Sequence, residues 1–300
     1  MKLFDCGVLC NLRISRWSGK RRLTNEDYKM VGLDPKALPQ SLTDLGKKSL
    51  VPPHELKEIM QIENKARSFL FRNSKPFTLS SCQFVPKKLF PTVEQTLADL
   101  ESDFAKAVDR FILKFEEIKK EMQESYPDFW TKCLKQHYPS DPKSIRDKFD
   151  FRFTFFKIDS LDEASKEALE KEVQDFVSSY VGAMRKQTID FCELMTARLT
   201  GKPFGDEDAA KEITGKTLSS FRKYVQTFSN MNIFEDAEIQ NMLGQFKKDY
   251  LGELVTADNF GNTQVRDAAL ASLSAIIQKA SMEDGSTSQF INSLKRKITL

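Results

Sequence analysis

With 300 residues, the chain can hold one large domain or two ordinary ones, so a stable core requires neither disulfides nor a bound metal. Charged residues make up 30% and hydrophobic residues 40%, and the aromatic content is lopsided at 24 Phe against 2 Trp and 6 Tyr; this predicts a phenylalanine-rich interior. A formal net charge of +3 excludes nucleic-acid binding argued from overall charge and leaves only local clusters to carry it.

The N-terminal "MKLFDCGVLCNLRISRW" lacks a continuous apolar core of secretory length, and no stretch approaches the ~20 apolar residues that span a bilayer. A cytoplasmic location and no membrane partner are expected. The five cysteines, Cys6, Cys10, Cys82, Cys133 and Cys192, are odd in number and scattered, as reduced thiols are. Cys6 and Cys10 form the single close pair. With no second pair or nearby His to complete four ligands, no metal and no cofactor are expected.

Along the chain, "VLCNLRISRW" alternates Val8, Cys10, Leu12 and Ile14 against Asn11, Arg13 and Ser15, which predicts a strand closed by a turn at Ser18-Gly19. From Leu23 to Pro53 the scattered Pro and Gly predict short helical turns and ordered loop. Pro53 then opens a helix to about Asn73, with Leu56, Ile59, Ile62 and Leu70 as its apolar stripe. After Pro91, the residues Val93, Leu97, Leu100, Phe104, Val108, Phe111, Phe115, Ile118 and Met122 recur at steps of three and four. That predicts one long helix, and a stripe so long calls for a long partner.

The expected partner lies between Ser160 and Leu199, where "SLDE" supplies a capping box and Val173, Phe176, Tyr180, Met184, Phe191 and Leu194 an apolar face, with Gly182 loosening its middle. Two such helices joined by one connection predict a long antiparallel, coiled-coil-like hairpin. The connection holds a second strand, "KFDFRFTFFKI", with Phe149, Phe151, Phe153 and Phe155 on one face. Paired with the first strand, it would form a small two-stranded β element at the hairpin's base. "TGKPFGD", Thr200 to Asp206, reads as a boundary. Three helical patterns follow, at about 206 to 230, 235 to 255 and 263 to 282, and then a polar tail without acidic residues after Asp284. The expected fold class is therefore mainly α. The N-terminal strand, loops and short helices occupy 1–90, the hairpin with its Phe-rich strand 91–199, and a C-terminal helical region with a basic tail 206–300.

Few residues carry recognisable chemistry. "AKEITGKT" fits a loose phosphate-binding loop, but its first glycine is Ala210 and the preceding residues read as helix opened by Asp206 rather than as a strand. Lys216 is then a solvated helix lysine. His54 follows Pro-Pro, and "HELKE" lacks the second histidine of a zinc protease. His137 sits in "KQHYPSDP" at a helix end; neither histidine has a nucleophile or carboxylate at an interpretable spacing. No catalytic residue is expected. Two basic clusters raise the nucleic-acid question. "RWSGKRR" sets Arg16, Lys20, Arg21 and Arg22 beside Trp17, cations for phosphates with an aromatic for stacking. Lys295, Arg296 and Lys297 lie in the tail, which could be mobile. The competing reading is ordinary exposed charge, with Trp17 packed at the end of its strand.

The ordered signatures "LRISRWSGKRRLTNEDY", "ALPQSLTDLGKKSLVPPHEL", "CQFVP", "YPDFW" and "KFDFRFTFFKI" resemble an uncharacterised phage and conjugative-element family, a domain of unknown function. The resemblance covers roughly residues 8–200. It departs from the family at "FTLSSCQFVP", where glycines and an aromatic would precede Val-Pro. It supplies no catalytic residues. It implies a bacterial host cytosol and a genomic setting beside a MoxR-type AAA+ ATPase and a von Willebrand A-type protein, similar to a metal-chelatase motor and its adaptor, or near phage recombination genes. The expected function is a non-catalytic interaction protein partnering an AAA+ ATPase, with a DNA-associated accessory protein as the alternative; homo-oligomerisation is left open.

Overall fold

Hydrophobic period decides most of the elements, and the computed structural model, which describes residues 2–30, 46–77, 82–139, 141–158, 163–205, 212–281 and 285–298, is mainly helical with a small antiparallel sheet. In chain order the elements are β1 (Gly7–Ser15), β2 (Lys20–Arg22), α1 (Asn25–Met30), β3 (Lys47–Ser49), α2 (Lys57–Arg72), β4 (Lys75–Pro76), β5 (Gln83–Pro86), α3 (Phe90–Ser125) and α4 (Pro127–Phe129). They continue with α5 (Lys143–Arg146), β6 (Asp150–Phe156), α6 (Glu163–Thr200), α7 (Gly215–Met231), α8 (Ala237–Tyr250), α9 (Thr263–Ala280) and α10 (Gly285–Lys297). Among the described residues, no helix is long and apolar enough to cross a membrane.

The expected neighbours β1 and β6 are hydrogen-bonded, but the sheet has four strands rather than two, in the order β4-β5-β1-β6. Gly7 to Cys10 pair antiparallel with Pro86 to Gln83, and Lys75 and Pro76 pair with Phe84 and Gln83. The added strands are two and four residues long, too short for an alternation to show. The segment 31–45, the Ser160 cap and the Asp206 cap fall outside the described residues.

The chain forms two units, each assembled from separate stretches. One consists of Met1–Cys10, Asn73–Pro91 and Phe155–Leu300. Its centre is α6, which packs against α7, α9 and α10. Burial on several sides explains why its apolar residues exceed one stripe. Leu169, Val173, Phe176, Val177, Tyr180, Val181, Met184, Cys192, Met195 and Leu199 are all buried. Phe176 holds Phe77 at 4.9 Å and Phe84 at 5.2 Å, and Phe191 stacks on Tyr224 at 4.1 Å. α6 runs unbroken through Gly182. The expected loose tail is instead α10, which buries Ile291 and Leu294 and packs on α6; Ile298, just past its end, is also buried. Those three positions recur at steps of three and four, a helical spacing that reading the segment as a polar tail passes over.

Within this unit Arg185, 1% exposed, is the largest fully buried side chain type that carries charge. Its Nε donates to Asp236 Oδ2 at 2.8 Å and its Nη1 to the Lys279 carbonyl at 3.0 Å and to Thr287 Oγ1, while Phe290 lies 5.7 Å from the guanidinium. Thr287 donates onward to the Ser281 carbonyl. One guanidinium thus joins α6, the start of α8, the end of α9 and α10. Asp236 also caps α8 by accepting from Ile239 N.

The other unit consists of Asn11–Arg72 and Thr92–Thr154. Here α3 buries the whole predicted stripe, from Val93 to Met122, with Ala107 added. The partners of that stripe within the unit are not a second helix of equal length but aromatic rings from several elements. Phe104 meets Phe151 at 5.6 Å, Phe111 meets Phe149 at 6.0 Å, and Trp17 lies 6.1 Å from both Phe111 and Phe115. The expected coiled-coil hairpin is not confirmed, and within its unit α3 is described by this aromatic packing.

Two outcomes are expected in chemical denaturation. Gly182→Ala should stabilise the chain by about 0.5–1 kcal/mol, because an added Cβ meets nothing within 4 Å and the helix interior favours Ala. Asp236→Ala should destabilise it by roughly 3–5 kcal/mol, because it strands the Arg185 guanidinium without a counter-charge.

Candidate nucleic-acid interface

Two glycines in left-handed conformation frame a two-stranded ribbon in the second of these units. Gly19 has φ +62° and Gly46 φ +73°; most side chains would be strained there. The Gly19 carbonyl accepts from Leu50 N at 2.7 Å, and the Gly46 carbonyl accepts from Leu23 N at 3.1 Å. Between these ties β2 and β3 pair antiparallel, with Lys20 opposite Ser49, Arg21 opposite Lys48, and Arg22 opposite Lys47.

Period-two geometry sorts these side chains onto two faces. Arg21 and Lys48 share one. Lys48 is buried, and its Nζ donates to both Asp27 oxygens and to the Cys133 carbonyl, each at 2.8 Å. All three ammonium protons are used, so Lys48 is a structural cation. Burial would raise the Asp27 carboxyl, but donors from Lys48 and Thr24 and the Cys133 contact outweigh it and hold the group near about 2. Lys20, Arg22 and Lys47 lie on the other face with Ser49, and all three cations are exposed. Arg22 and Lys47 stand directly opposite each other across the ribbon.

The structure divides the expected basic cluster. Arg16 Nε donates to Glu63 Oε2 at 2.7 Å, and Glu63 also accepts from Arg67, so the two guanidinium groups share one carboxylate. Trp17 is 8% exposed, with Phe111 and Phe115 against its rings. Its indole is core. Lys20, Arg21 and Arg22 remain at the surface, and β3 contributes Lys47, which sequence reasoning missed. "LGKKSL" shows two lysines but not which strand they oppose. Lys295, Arg296 and Lys297 form the last turn of α10 in the other unit, where the helix dipole favours cations.

The remaining chemical candidates resolve locally. α7 begins at Gly215, not at Asp206, and Thr214 caps it by accepting from Thr217 N at 3.2 Å. Residues 212–214 are not a strand, and Lys216 is exposed. His54 is exposed beside Glu55 at 3.1 Å. His137 Nε2 finds no hydrogen-bond partner among the described residues, and burial, with Lys48 and Arg21 nearby, pushes this imidazole below its ordinary value despite Asp27. Burial pushes the Cys10 and Cys192 thiols up to about 12, so both stay protonated at neutral pH. A 290 Å³ depression beside the ribbon is lined by Leu23, Asp27, Tyr28, Lys47, Lys48 and Phe129. No group of three or more His, Cys, Asp or Glu among the described residues is placed to hold a metal.

Because Asp27 is lowered from 3.8 to about 2, its contribution to stability is complete from about pH 5 upward and is lost as pH falls through about 2. Denaturant midpoints measured from pH 5 to pH 2 should therefore fall for the natural chain and change less for Asp27→Asn, which should already be weaker by roughly 3–5 kcal/mol at pH 7. No curated protein and no solved structure matches this chain. A family model described as a protein of unknown function, DUF3150, matches residues 5–281 and so extends beyond the 8–200 stretch carried by the short signatures. The ordered motifs and this match across most of the chain establish that the protein belongs to the DUF3150 family.

Proposed function

We propose that the chain is a non-catalytic interaction protein that partners an AAA+ ATPase of the MoxR type in a phage or mobile-element system. The partner comes from the genomic setting that the resemblance implies. The observation that supports a working surface is where the large apolar side chains lie. Leu113 of α3 is 82% exposed and Phe71 of α2 is 68% exposed, on helices whose remaining outer faces carry ion pairs such as Arg110–Glu58 at 2.5 Å and Lys119–Glu116 at 3.1 Å. Large apolar side chains left exposed on charged helices suit contact with another protein. The buried groups with chemical potential are meanwhile held in structural roles: Lys48 on Asp27, Arg185 on Asp236.

The second reading, a DNA-associated accessory protein, is favoured by the exposed cations that β2 and β3 bring together. Affinity purification of the tagged chain with nuclease treatment separates the two. Near-stoichiometric recovery of an AAA+ subunit that survives nuclease is the expected result, and Phe71→Ser with Leu113→Ser should reduce capture at least tenfold at unchanged thermal midpoint. Recovery of nucleic-acid proteins alone, lost on nuclease treatment, would sink the motor-partner reading.

A further inference from the structure

Between α8 and α9 a clamped turn holds one large apolar side chain out in water. Val255 N donates to the Gly252 carbonyl at 3.0 Å, closing a β-turn with Glu253 and Leu254 at its tip. Arg222 of α7 fixes that turn: its Nε donates to the Leu251 carbonyl at 2.7 Å, and its Nη2 to the Gly252 and Val255 carbonyls at 2.8 and 2.9 Å. A capping box of Thr256 and Asn259 holds the next turn, and Leu251 and Phe260 are buried on either side. Leu254 is nevertheless 95% exposed. A tip fixed this firmly gives up little freedom on binding, so the exposed leucine is a pre-shaped knob.

A matching hollow lies in the same unit. Phe191, Leu194 and Met195 of α6 and Phe221 of α7 give a 230 Å³ depression its apolar walls, and Lys216 and Ser220 of α7 stand on its polar side. That volume is below the roughly 300–1,000 Å³ of a pocket for a drug-sized ligand and suits a single side chain. Lys216 and Glu253 are exposed, and neither side chain has an ion-pair or hydrogen-bond partner among the described residues. Arg198 also lines the depression, but it already has a partner within the chain. We infer that Leu254 of one copy of this chain seats in the α6–α7 depression of a second copy, with the Glu253 carboxylate on the Lys216 ammonium. The occupant follows from complementarity: this chain carries both an acidic, apolar knob and a basic, apolar hollow. The knob, standing in solvent, does not fill the hollow of its own chain. A contact this small makes the association weak and concentration-dependent, and it depends on neither a motor partner nor DNA.

The test is sedimentation velocity of the full chain from about 5 to 200 μM, over which the mean mass should rise above that of the monomer. Leu254→Asp should weaken self-association at least tenfold. The double variant Lys216→Glu/Ser220→Glu should do the same by setting carboxylates against Glu253. All three positions are exposed, so thermal midpoints should be unchanged. Mixing the two variants should restore a 1:1 heterodimer, because the first keeps the depression and the second keeps the knob. A monomer at every concentration overturns the proposal. So does self-association that survives Leu254→Asp, or that falls instead with Phe71→Ser/Leu113→Ser, which would put the interface on α2 and α3. A mixture that stays monomeric rules out the seating of Leu254 in this depression and overturns it equally.

Discussion

A cation withdrawn from water must be neutralised and have its donors satisfied, and each of the two units is organised around one such cation. In one, Arg185 links α6 to the cap of α8, the end of α9 and α10 through Asp236, the Lys279 carbonyl and Thr287. In the other, Lys48 holds β3 to Asp27 of α1 and to the Cys133 carbonyl. Both cations come from segments whose neighbours in sequence look ordinary. Their effect is to fix which segments meet, a task that apolar packing, being non-directional, leaves underdetermined.

Around these pairs the phenylalanines supply the bulk of the core. Most of their close contacts are tilted or edge-on, as with Phe77 on Phe176 at 60° and Phe111 on Phe115 at 69°, the arrangement that the ring quadrupole favours. Such rings fill a space between elements that cross at varied angles. Part of the buried face of a long helix such as α3 is then covered by rings from a strand, a turn and a loop. The same demand removes Trp17 from the surface: an indole beside Phe111 and Phe115 gains more by burial than by waiting in water for a base to stack on it.

The basic cluster shows how a contiguous motif becomes a different set of residues in space. Arg16 leaves it because Glu63, 47 positions away, lies within hydrogen-bond reach. Lys47 joins it because antiparallel pairing puts that residue opposite Arg22. No spacing in "RWSGKRR" or "LGKKSL" encodes either event. The buried Lys48 is equally unreadable, since adjacent lysines in a three-residue strand take opposite faces and the identity of the inward one depends on what lies beneath.

Local sequence determined what depends on local sequence. The α3 stripe, the alternation of the Phe-rich strand, the pairing of that strand with β1, and a helical turn at Pro53–Leu56 leading into α2 were all legible, because hydrophobic period and proline chemistry act within a few residues. The family signatures were legible for the same reason, being short ordered strings. Tertiary structure decided the rest. It chose four strands where two were visible, made the polar tail into α10 by giving Ile291 and Leu294 something to pack on, and started α7 at Gly215, where the Thr214 cap and not a strand precedes the glycine. It also selected which cations face solvent. Those choices turn on partners tens of residues away, whose burial energy and hydrogen bonds outweigh local preference.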